Sequence, residues 1–221
     1  MRSLRFAGMF LALAIAMSLC TGTALANSKT VEMQLVGVGS NNAGGVYTYP
    51  YYFSINGAAP VALICDSYDN RVSVGESWQA NVVGLLSGKG LFGNQLLDYK
   101  AAGLIFKSIL DGQVAVNVGN YAIWGLFSAN AQGSQYFQQS GAGGIEQEFL
   151  TLAATAPNSA FKGLVLYTPI SGTQSMNGTP QEYIGYSPCS PVPEPGSLTL
   201  LGTGLLSLGG LLRRKLKMSQ A

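Results

Sequence analysis

The sequence predicts an α+β domain, rich in β-hairpins, with two or three helices inserted mid-domain. Two observations carry this. Segments of period-two alternation, dense in Val, Tyr and Phe, occupy both ends of the central region, and between about residues 94 and 154 the apolar spacing changes to threes and fours. A third observation sets the limits: an uncharged apolar run lies near each end of the chain, read as an N-terminal signal helix and one C-terminal transmembrane helix.

Val31, Met33, Leu35 and Val36 predict a first strand, and the stretch Gly39 to Gly45 a flexible loop. Val46 to Ile55 is rich in Tyr and Phe and leads into Asn56-Gly57, the pair favoured in two-residue hairpins. Pro60 begins the return strand, with Val61, Leu63 and Cys65 on one face and Ala62 and Ile64 on the other. Val72 to Val83 reads as a further strand pair broken at Gly75, with Trp78 as a core anchor. Asn94 is placed to cap a helix through Leu97, Ala101, Leu104, Ile105 and Ser108 that stops at Asp111-Gly112. A second helix is predicted over Asn120 to Ala129 and a third over Ile145 to Ala154. Strand returns at Leu164 to Tyr167, closed by Thr168-Pro169, and again at Gln181 to Tyr186.

At the N-terminus, Arg2 and Arg5 precede an apolar stretch from Phe6 to Leu19, and Ala24-Leu25-Ala26 is a small-x-small cleavage site. This is the pattern of a secretory signal peptide, with Ala24 and Ala26 at the cleavage point. Cys20 raises a lipoprotein alternative, but the bulky Leu19 before it fits lipoprotein processing poorly. At the C-terminus, Val192-Pro193-Glu194-Pro195 is followed by an apolar run to Leu212 and by Arg213, Arg214, Lys215 and Lys217. Prolines 191, 193 and 195 keep the segment extended and without backbone donors. The run suits one membrane helix, and basic residues beside it favour retention on the cytoplasmic side.

The C-terminal arrangement resembles the PEP-CTERM sorting signal of Gram-negative bacteria. The resemblance implies recognition by an exosortase-type sorting enzyme, transient anchoring in the inner membrane, cleavage near the motif, and transfer to the cell surface or extracellular matrix. The expected organisation is a signal peptide at 1–26, an exported domain at 27–190, and a sorting signal at 191–217.

Once the end segments are set aside, six basic and nine acidic side chains remain, a net charge of −3. No basic field exists for nucleic acid, so that partner class is excluded. The chain contains no histidine, which removes the usual general base, the Ser-His-Asp and Cys-His triads and imidazole metal sites. The acids read as solvated surface carboxylates; Glu146 and Glu148, two apart, would diverge on a helix. Asp66 to Asn70 lacks the spacing of an EF-hand loop and reads as a turn. The expectation is a non-enzymatic protein without cofactor or metal. Its Gly, Asn, Gln, Ser and Tyr content fits equally a surface adapted to contact, with exopolysaccharide or a surface ligand as the candidate partner, and an ordinary β-rich secreted protein.

Ile64-Cys65-Asp66 and Asn120-Tyr121-Ala122-Ile123-Trp124 together resemble the two halves of thioester domains in bacterial surface adhesins. The resemblance implies a Cys joined to a Gln just before Ala-Ile-Trp; here that position is Asn120, one methylene shorter. Three states of Cys65 stay open: a disulfide with Cys189, a buried free thiol, or an acyl-type link.

Overall fold

A computed structural model describes residues 29–173 and 175–187. The expected signal peptide, Ala24 and Ala26, Cys189, and the sorting segment lie outside the described residues. Strand β1 (Lys29–Val38) buries Val31, Met33 and Leu35 and exposes Glu32 and Gln34, the alternation its sequence calls for. It pairs on one side with β4 (Tyr51–Ile55), where Met33 faces Ile55 and Leu35 faces Phe53, with a bulge before Gly37. β4 turns at Asn56-Gly57, both with positive φ, into β5 (Val61–Cys65), confirming the predicted hairpin.

On its other side β1 pairs with β6 (Ser77–Gly84), which continues to β7 (Leu164–Pro169). β8 (Tyr183–Tyr186) then fits between β7 and β5, closing a six-stranded antiparallel barrel in the order β1-β4-β5-β8-β7-β6. The interior is aromatic. Phe53 meets Tyr183 at 4.5 Å and Trp78 at 5.6 Å between ring centroids, both edge-on, so the predicted role of Trp78 as a core anchor holds.

Between β6 and β7 the chain forms five helices: α1 (Leu96–Leu110), α2 (Val116–Phe127), α3 (Ala129–Gly133), α4 (Gln135–Ser140) and α5 (Ala142–Thr155), then a 3-10 turn (Asn158–Phe161). α1, α2 and α5 pack on one another. The fold is thus mixed α and β, with more helices than the expected two or three. The two additional ones are single short turns, α3 and α4, whose N-terminal N–H groups are met by Ser128 and Ser134. Too short for a periodic apolar stripe, they leave only that capping signal.

Other boundaries moved. α1 begins after Gln95 with no side-chain cap, so Asn94 does not cap it. Val72 to Val83 holds one strand, β6, not two, because residues 71–76 form the loop leading into it. The Gly39 to Gly45 stretch is not a plain loop: β2 (Asn42–Ala43) and β3 (Val46–Tyr47) make a small hairpin turning at Gly44-Gly45. Gly44 is required there, since its φ is +57° and a Cβ would sit 2.4 Å from the Tyr121 hydroxyl. No helix among the described residues is long and apolar enough to cross a membrane; the predicted membrane run is outside them.

Candidate functional site

Cys65 ends β5 and faces Tyr183 of β8, while Asn120 lies in the middle of α2. Both are fully buried, and the structure brings them together. The Asn120 side-chain amide donates to the Cys65 carbonyl at 3.0 Å, and its oxygen accepts the Tyr49 backbone N–H at 2.8 Å. Asn120 therefore ties α2 to the end of β5 and to the segment before β4, with both ends of its carboxamide engaged by backbone.

Among the described residues the Cys65 thiol has no disulfide partner, and it makes a 3.5 Å contact to the Ser67 carbonyl. Burial, and then the neighbouring Asp66, push its pKa up to about 12, opposed by the nearby Trp124 indole N–H and by Ser67. The Trp124 N–H itself has no hydrogen-bond partner of normal geometry. At neutral pH the sulfur is a thiol rather than a thiolate and is a poor nucleophile. Cys189, the other member of the expected pair, is outside the described residues.

The acids depart from expectation. Asp66 and Glu182 are 0% exposed, Glu76 5% and Glu146 6%, so the reading of these carboxylates as solvated is corrected; Glu148 is exposed. Glu182, not foreseen as a site residue, accepts the Leu91 N–H and the Tyr99 hydroxyl, each at 2.7 Å, and the Thr168 hydroxyl. Its carboxyl thereby joins the segment entering β8 to β7, α1 and the loop before α1. Beside it, Asp66 has no hydrogen-bond partner of normal geometry on either carboxyl oxygen. Burial, then Glu182, pushes the Asp66 pKa well above the ordinary aspartate value, which favours its neutral form. Among the described residues no cluster of acids and cysteine is disposed to hold a metal ion. In the Asp66 to Asn70 turn, Asp66 faces inward and Asp69 accepts from Asn130 at 2.8 Å.

A cleft of about 700 Å³ opens between the β2–β3 hairpin, the ends of β1 and β4, and the loop after β5. Its lining includes Tyr47, Tyr51, Tyr68 and Trp124, together with Asn70 and Arg71. Trp124 and Tyr51 are buried, whereas Tyr47 and Arg71 are exposed. The hairpin is held over it by α2: the Tyr121 hydroxyl donates to the Ala43 carbonyl at 3.0 Å, and Asn117 bonds Thr48 at 2.6 Å and the Asn42 carbonyl at 3.3 Å. The tyrosine-rich composition pointed to a contact surface, but nothing in the spacing of these residues marks them as neighbours.

Val192, Pro193, Glu194, Pro195 and the basic residues Arg213, Arg214, Lys215 and Lys217 fall outside the described residues, yet the comparison with known families bears on them directly. Residues 191–215 match the family described as the PEP-CTERM protein-sorting motif. No curated protein and no solved structure matches the chain, and the thioester-domain resemblance finds no support in these comparisons. The C-terminal segment of this chain is a PEP-CTERM sorting motif, the mark of a protein directed by an exosortase to the cell surface.

Proposed function

We propose that the chain is a non-enzymatic surface or extracellular-matrix protein, exported through its N-terminal signal, held briefly in the inner membrane by its C-terminal helix, and released by an exosortase. The match of residues 191–215 carries this reading. The lack of histidine and the burial of the Asp66 and Glu182 carboxyls support the non-enzymatic part: the two acids meet inside the domain rather than in an open cleft. Localising the protein in a wild-type strain and in one lacking the sorting enzyme tests it. Processed surface protein is expected in the first and full-length membrane-retained protein in the second; equal retention in both would sink the proposal.

A second reading, an adhesin of thioester-domain-like architecture that binds amines or carbohydrate, is favoured by the 3.0 Å contact between Asn120 and the Cys65 carbonyl. It shares the placement of the two motifs without requiring the bond, since the Asn120 carboxamide already serves backbone groups. Intact mass of the mature protein separates the states of Cys65. A loss of about 17 Da marks release of ammonia on acylation, and about 2 Da marks a disulfide.

A further inference from the structure

We propose that the cleft between the β2–β3 hairpin and the loop after β5 binds an acidic saccharide, one whose sugar rings carry carboxylates. Pyranose rings present apolar C–H faces and hydroxyl edges, so a site for them needs aromatic surfaces beside polar side chains. Tyr47 and Tyr68 supply the surfaces, backed by the buried rings of Tyr51 and Trp124, and Asn70 lies among them. The volume, about 700 Å³, is that of a working ligand site rather than a packing defect.

Among the described residues of the lining Arg71 is the only charged one, and it is exposed, in a domain whose net charge is −3. A lone guanidinium at the mouth of a cleft in a negatively charged body selects an anionic group that can accept paired hydrogen bonds, which a uronate carboxylate does.

The site is also pre-formed. Tyr68 and Trp124 rings lie 5.2 Å apart, Tyr121 packs on both at 6.1 Å and 4.9 Å, and the same Tyr121 holds the hairpin through Ala43. Binding therefore has little side-chain ordering to overcome at the base of the cleft. The proposal rests on the surface reading for its setting, but binding by the purified protein does not require sorting, so the two fail separately.

The test uses the full-length protein in detergent, titrated calorimetrically with an oligogalacturonate, a neutral cello-oligosaccharide of equal length, and an acidic peptide of equal charge. The oligogalacturonate is expected to bind more tightly than the neutral chain by about tenfold, the scale of one charge-assisted contact. Arg71→Gln is expected to abolish that preference. Tyr47→Ala is expected to weaken both sugars by similar factors. Both residues are exposed, and unchanged melting temperatures would establish that the variants fold. No binding of either sugar at millimolar concentration would overturn the proposal. So would binding of the acidic peptide as tight as that of the uronate, which would make the cleft a protein-docking site.

Discussion

Asp66 is a carboxyl group without a hydrogen-bond partner of normal geometry in the interior of a protein, and its behaviour with pH follows from that position. In the unfolded chain it ionises near pH 4, whereas burial and Glu182 keep it protonated in the folded state well above that. From about pH 4 upward the folded state holds a proton that the unfolded state has released. Stability therefore declines with rising pH through this window, until the raised folded pKa is passed. Urea unfolding of Asp66→Asn from pH 4 to 8 should show a flatter profile than wild type; equal slopes would assign the dependence elsewhere. Asn120 is the other residue on which the junction depends. Asn120→Ala removes two hydrogen bonds and leaves the Cys65 carbonyl and Tyr49 N–H without their partner in the interior, at a cost of about 2–4 kcal/mol by denaturant unfolding. Asn120→Gln retains the amide but adds a methylene to a filled site, for about 1–3 kcal/mol.

Among the elements, the β4–β5 hairpin was legible because Asn-Gly carries its own conformational instruction. Asn56 has φ of 51° and Gly57 of 74°, as its turn requires. Nothing lies within 4 Å of a Cβ built on Gly57, so Gly57→Ala should cost about 1 kcal/mol from backbone conformation alone. Gly57→Asn should cost less, because Asn tolerates that region; thermal unfolding of the two variants gives the comparison. The long helices were legible from their spacing, although α1 starts without the expected Asn94 cap. What local pattern could not reveal was partnership. That β8 lies beside β5, that Glu182 reaches Tyr99, and that Arg71 shares a cleft with Tyr47 are relations between residues far apart in the chain. The burial of Asp66 and Glu182 was hidden for the same reason, since an acid's environment is decided by what folds over it. The Cys65–Asn120 proximity could be read only through the resemblance, and there the contact is to the carbonyl rather than the sulfur.

For the whole molecule, the sorting segment makes the most direct prediction. On the proposed membrane anchoring, Glu194, which precedes the apolar run, would lie outside hydrocarbon, so Glu194→Gln should leave insertion intact while unprocessed protein accumulates, visible as a slower-migrating band in membrane fractions. Processing at the normal rate would reduce the apolar run to a simple anchor. The closed barrel adds a constraint of timing. β8, which pairs Ile64 of β5 with Ile184 and Leu166 of β7 with the same Ile184, is the last strand to emerge from any exporter that delivers the N-terminus first. Until it arrives, β5 and β7 each offer a bare hydrogen-bonding edge to other chains, the condition in which β-proteins aggregate or swap. A chain cut after Pro169 should consequently be recovered in inclusion or as soluble oligomers rather than as monomer, by size-exclusion chromatography. Transit across the membrane would thus be an interval of exposure for this protein, and a factor that shields unpaired strands during that interval should raise its yield.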